Sequence, residues 1–152
     1  MEREQLWRRI VIGGVAGRGR VAAGVLPRAA LLVIRLAPAI VFLAHGYLKL
    51  LGGHHDRTVA LFLTVNIPFA EPVAWLVGAL ELAGGLALLS GILLRPFALL
   101  LAAEMAVAIV LVRLPQGFIG AWEFELVLLL VCLGLALWPT GQGSALRRQI
   151  SP

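Results

Sequence analysis

Four long apolar runs dominate the chain, from about Ala29 to Leu51, Val73 to Leu94, Phe97 to Leu114 and Trp122 to Trp138. Each covers about 17–23 residues, enough for a helix to cross a hydrocarbon core of about 30 Å with modest tilt. Lipid offers no hydrogen bonds to an exposed backbone, so each run is expected to be helical. The breaks carry turn-forming residues: Gly52-Gly53, Pro68 with Pro72, Arg95-Pro96, Pro115 to Gly120, and Pro139 to Gly143. So little chain separates the second run from the third that the two must form a tight antiparallel hairpin. The pattern predicts an all-α integral membrane four-helix bundle over residues 29–139.

Composition agrees. Of 152 residues, 61% are hydrophobic and 14% charged, whereas soluble domains run nearer half apolar and a quarter charged. The net charge of +5 does not point to nucleic acid, because the basic residues flank apolar runs and form no patch with interleaved aromatics. They act as topology signals. With the N-terminus inside, Arg3, Arg8, Arg9, Arg18, Arg20, Arg28, Arg95, Arg147 and Arg148 are cytoplasmic, while Lys49, Arg57 and Arg113 are outside. This nine-to-three bias predicts an N-in/C-in arrangement. Trp75, Trp122 and Trp138 fall near span ends, where amphipathic rings settle. Residues 1–28 read as a basic cytoplasmic arm; Arg18 and Arg20 interrupt its apolar stretch too soon for a signal-peptide core. Residues 140–152 read as a cytoplasmic tail. The single cysteine, Cys132, lies mid-run and has no second thiol for a disulfide or redox pair.

The informative residues are the ionisable ones within the spans: Arg35, His45 and Lys49 on the first, Glu81 on the second, Glu104 on the third, and Glu123 and Glu125 entering the fourth. An unpaired charge in mid-membrane is costly, so these should face the bundle interior and find partners. Arg35, Ala39, Phe42, Gly46 and Lys49 repeat in a 4-3-4-3 rhythm and form one seam. Gly78, Glu81 and Gly85 share a face with Ala74, and small residues so spaced permit close helix approach. By rise along the helix, Arg35 and Glu104 each lie about 10–13 Å in from the inner side, which predicts an inner ion pair between them. His45, Lys49, Glu81 and Glu125 fall in the outer half and form a second cluster. Two readings of it stand: charges that hold four helices in register, or a polar pocket for a small polar molecule, a quinone head group or a proton. His54, His55 and Asp56 read as a solvated part of the 51–72 loop, since adjacent residues seldom share a tetrahedral metal site. No nucleophile triad, phosphate-binding glycine loop, metal set, or haem or flavin motif is present, and no cofactor is expected to be bound covalently.

Taken in order, these pieces resemble the DoxX family. Ile34-Arg35-Leu36, the run His45-Gly46-Tyr47-Leu48-Lys49-Leu50 and Gly52 are similar to its first helix. Glu81-Leu82-Ala83-Gly84-Gly85, with Leu88 and Gly91, are similar to the second, and Glu104-Met105 with Ala108-Ile109 to the third. Glu123 or Glu125 and Thr140-Gly141-Gln142-Gly143-Ser144 resemble its end, although the aspartate often following that segment is absent. The arginine-rich arm lies outside the resemblance. What the resemblance implies is a small bacterial membrane protein encoded with redox partners. Relatives look like the membrane subunits of a thiosulfate:quinone oxidoreductase or parts of oxidative-stress complexes. The leading expectation is a non-catalytic subunit or scaffold of a larger redox or energy-converting complex, with other protein subunits as partners and a quinone or lipid as candidate ligand. The alternatives are a subunit directly supporting quinone reduction, with His45 and Glu81 exchanging protons, and a small transporter or channel. The last is disfavoured by the low helix count and the lack of an inverted repeat.

The topology is directly testable. A cysteine introduced by R148C should resist membrane-impermeant thiol reagents in intact cells and react once the membrane is opened; labelling from outside would overturn the N-in/C-in assignment.

Overall fold

Proline and glycine mark the borders of the helices, though not quite where the sequence alone suggests. The structure, a computed structural model, describes residues 29–138. They form α1 (Ala29–Leu50), α2 (His55–Thr64), α3 (Ala70–Ser90), α4 (Leu94–Ala108) and α5 (Glu123–Leu137). A π-helical turn, Ile109–Arg113, and a 3-10 turn, Leu114–Gln116, prolong α4, and a second wide turn, Phe118–Trp122, leads into α5. Four of these segments are long and apolar enough to cross a membrane: Ala29–Leu50, Ala70–Ser90, Leu94–Gln116 and Phe118–Leu137. No strand occurs among the described residues. The arm 1–28 and the tail 140–152 lie outside them.

The second and third spans begin about three residues earlier than the turn signals imply. Pro72 and Pro96 sit inside the first turns of α3 and α4, where the absent N–H has no intrahelical acceptor to miss. The expected hairpin between these helices turns on Gly91 and Leu93, both left-handed, with φ of 81° and 52°. A larger difference is α2. Residues expected to be loop form a ten-residue helix, with Thr58 and Phe62 buried. Phe62 joins Ala70 and Ala74 in a small apolar cluster with Val59, Ile67, Val73 and Val77 around it. Too short to span a bilayer, α2 packs on α3 at one end of the bundle, here called the α2 end; the opposite end carries the α3–α4 hairpin.

From Arg35 onward the described residues belong to one compact unit; residues 29–34 belong to the preceding one and are largely exposed. Within the larger unit, α1 and α3 touch backbone to backbone. A Cβ on Gly46 would stand 2.9 Å from the Gly78 carbonyl oxygen, and one on Gly85 would stand 2.9 Å from the Leu43 amide nitrogen. Phe42 and Ala39, one and two turns before Gly46 on the same seam, are 1% and 0% exposed. The 4-3-4-3 seam of α1 and the small-residue face of α3 therefore meet, as close-packed membrane helices do. On the other side of α3, Gly84 receives the Leu101 side chain of α4. Buried Ala98, Leu101, Ala102 and Met105 of α4 pack toward Leu128, Cys132, Leu135 and Ala136 of α5. Leu76, Leu86, Leu99, Leu100, Val127 and Leu130 point outward, an apolar exterior suited to lipid.

Because two backbones meet at Gly46, G46V would have to push α1 off α3. The expected cost is about 1–3 kcal/mol, the range for overpacking, read as a lower unfolding midpoint in mild detergent. An unchanged midpoint would contradict this contact.

Candidate functional site

A charged group placed inside a helical bundle needs a partner within reach, and the structure supplies partners in two separate layers. At the hairpin end, Arg35 donates from Nε to the Leu88 carbonyl at 2.8 Å and from Nη2 to the Leu89 carbonyl at 3.0 Å. Its guanidinium lies against Gly91, where a Cβ would come within 2.7 Å of Nη2. A cation thus satisfies free carbonyls at the C-terminus of α3, where the helix dipole favours it. Arg95 does the same for α5, donating from Nη2 to the Trp138 carbonyl at 2.6 Å.

This arrangement corrects the expected Arg35–Glu104 pair. Glu104 sits beside Glu81 and near Lys49, and Glu81 precedes Leu88 by seven residues, roughly 10 Å along α3. The two groups lie in different layers. Depth counted from flanking residues put them level, but the unpaired carbonyls closing α3 are nearer to Arg35 and accept its donors.

The second layer is the functional candidate. Lys49 Nζ of α1 donates to Glu81 Oε1 of α3 at 2.6 Å. The Lys49 stem crosses Gly78, whose absent side chain leaves room for it: a Cβ there would stand 3.1 Å from Lys49 Cβ. Glu81 is 2% exposed. Arg113 Nε donates to Glu125 Oε1 at 2.9 Å, and Arg113 Nη1 to Gln116 Oε1 at 3.2 Å. These are the two side-chain ion pairs among the described residues. The π-helical turn accounts for the second. Pro115 cannot donate an amide to the chain behind it, the helix widens there, and Arg113 reaches the first turn of α5. Glu123 has a local task, accepting from the Gly120 amide at 2.9 Å.

Both pairs border one cavity of about 410 Å³. Its walls are mostly apolar: Phe42, Phe62, Val77, Met105, Leu111 and Leu128 among others. The polar groups on it are His45, Lys49, Thr58, Glu81, Glu104, Arg113 and Glu125. The four residues of the sequence-defined outer cluster, His45, Lys49, Glu81 and Glu125, therefore line a common space. Glu125 is held there by Arg113 rather than by the lysine, and His45 is the exposed member. Sequence reasoning had placed Glu104 in the other layer, had counted Arg113 only as an outer charge and had not singled out Thr58. The signal for Glu104 was present, since it lies as deep from Arg95 as Glu81 lies from Pro72. His55, expected in a solvated loop, instead stacks on Trp75 with ring centroids 4.3 Å apart, and both its ring nitrogens are buried without a hydrogen bond.

Fold and site together define a multi-pass membrane bundle with ionisable side chains gathered on an internal cavity. Residues 30–114 match the family model DoxX; the chain belongs to the DoxX family. Over 106 residues, 70% of this chain and 76% of the relative, it is 33% identical to a Bacillus subtilis protein named "Putative oxidoreductase CatD". No solved structure matches the chain. The family match contains Lys49, Glu81, Glu104 and Arg113 and ends before Glu125.

Removing one member of a buried pair leaves the other charged and desolvated. K49M is therefore expected to destabilise the folded protein by about 3–5 kcal/mol. Adding E81L should recover most of that loss, because the stranded carboxylate is then gone. Denaturation in detergent of the single and double variants measures both, and equal losses in the two would contradict direct pairing.

Proposed function

We propose that this chain is a membrane-embedded subunit of a larger redox or energy-converting complex in the bacterial cytoplasmic membrane, and that its cavity binds the head group of a quinone or lipid. The observation that carries the reading is the cavity itself. It falls within the usual range for small-molecule sites, roughly 300–1,000 Å³, and pairs apolar walls with a few convergent polar groups, as such sites do. A molecule reaching it from the bilayer could lay an apolar tail against Leu111, Val107 and Phe124 and bring a polar head to Lys49, Glu81 and Glu104, all of which border the space. A purely structural set of ion pairs has no need of such a space.

The subunit part of the proposal follows from the chemistry of the groups present. Imidazole, amine, guanidinium and carboxyl groups hold ligands and exchange protons; they do not carry electrons. Cys132 is buried and free. Electrons would come from a partner, in keeping with the resemblance to membrane subunits of quinone-linked complexes and with the name of the Bacillus subtilis relative. Direct support of quinone reduction, with His45 and Glu81 trading protons, would use the same cavity.

Calorimetric titration of the purified protein in phosphatidylcholine nanodiscs with decylubiquinone tests the reading. Saturable binding is expected, and A108F, which adds an aromatic ring to the cavity wall, should weaken it at least tenfold while the unfolding midpoint holds. No saturable binding, or binding indifferent to A108F in a folded variant, would overturn the quinone-binding proposal. Mild-detergent purification should also retain redox subunits; isolation of the chain alone under all conditions would count against the complex.

A further inference from the structure

Three helices bring one ammonium and two carboxyl groups to the same place in the bundle. Lys49 of α1 donates to Glu81 Oε1 of α3 at 2.6 Å. The Glu104 carboxyl of α4 is in hydrogen-bond contact with the Glu81 carboxyl. Such a contact needs a hydrogen, and an ionised carboxylate has none to give. Among the described residues, Lys49 hydrogen-bonds to Glu81 alone. Glu81 Oε2 and Glu104 Oε2 are both buried, and no described residue donates to either. A proton on one carboxyl turns two acceptors that repel each other into a donor and an acceptor.

The balance of charge requires the same single proton. Fully ionised, the three groups carry one positive and two negative charges. One proton makes them neutral, and a second would leave Lys49 without a counter-charge. Net charge is costly to bury in an apolar bundle, and two carboxyls sharing a site do not both ionise. The other titratable neighbours leave the balance unchanged. His45 of α1 is exposed, Cys132 of α5 is a buried thiol near Glu104, and Arg113 and Glu125 neutralise each other at 2.9 Å. A metal ion does not take the proton's place, since among the described residues no three His, Cys, Asp or Glu side chains are grouped to hold one.

We infer that Glu81 and Glu104 hold one proton between them at neutral pH, with Lys49 as the fixed counter-charge, and form a proton-binding site on the wall of the cavity. The proton belongs to the pair rather than to either glutamate. It ties α4 to α3 as Lys49 ties α1 to α3, so one site joins three helices. Glu81 and Glu104 both border the cavity, and whatever binds there meets a pair able to give or take a proton. The site needs only these three residues and is independent of the identity of the cavity's ligand.

Infrared spectroscopy of the full chain in dodecyl maltoside, which has no carbonyl of its own, tests this. At neutral pH a carboxylic-acid C=O band is expected, and it should shift when the glutamate carboxyls carry ¹³C. E104Q and E81Q should each abolish the band, because the remaining carboxylate then pairs with Lys49; E125Q should leave it in place. E104Q keeps a donor beside Glu81 and is expected to fold; should one of the two variants fail to fold, the other carries the assignment. Absence of an acid band from the unsubstituted protein at neutral pH would overturn the shared proton. So would a band that survives either E81Q or E104Q in folded protein, or one that is lost in E125Q.

Discussion

An ammonium group and a carboxylate cannot stand alone among apolar helices, and the pairing of Lys49 with Glu81 at 2.6 Å depends on how closely α1 and α3 approach. Gly46, Gly78 and Gly85 bring the two backbones together, and only at that separation does the lysine stem pass over Gly78 to meet Glu81. Close packing and ion pairing support one another: the glycines let the charges meet, and the charges fix the register in which the glycines align. Buried pairs are weak sources of net stability but good specifiers of register. The same contact places Lys49 and Glu81 on the wall of the cavity, so helix packing and the polar end of the site share one cause.

The fold was largely legible because bilayer thickness and helical rise leave few choices for runs this apolar. The seam of α1 and the small-residue face of α3 could also be read, since periodicity reports faces. Partners were harder. Arg35 and Glu104 look level when depth is counted from flanking residues, but that count says nothing of the free carbonyls that close α3 and draw Arg35 away. Main-chain acceptors compete with carboxylates for arginine, and a sequence does not display them. Arg113 was missed as a site residue for a related reason: its direction depends on the widened turn before Pro115, and helical periodicity breaks there. α2 was hidden because ten residues of mixed polarity resemble a loop until Phe62 and Thr58 are seen against the bundle.

Two ends of the molecule use charge differently. At the hairpin end, Arg35 and Arg95 close helix termini, donating to main-chain carbonyls of α3 and α5; their work is finished within the protein. Toward the α2 end, Lys49 and Arg113 each pair with a glutamate, and all four residues line the cavity. That asymmetry separates a structural layer from one with capacity left for a ligand. It is the physical basis on which we propose that this member of the DoxX family binds a membrane-soluble carrier.

The account stands on Lys49 meeting Glu81 inside the bundle, and Lys49 is the single lysine of the chain, so its side-chain nitrogen can be observed free of other lysines. Solid-state NMR of the protein in lipid bilayers, with ¹⁵N in the lysine side chain and ¹³C in the glutamate carboxyls, measures the contact through dipolar recoupling. A strong coupling between Lys49 Nζ and one carboxyl carbon, lost in E81Q and kept in E123Q, is the predicted result. A lysine nitrogen with no recoupled carboxyl, or one whose coupling survives E81Q unchanged, would contradict the account.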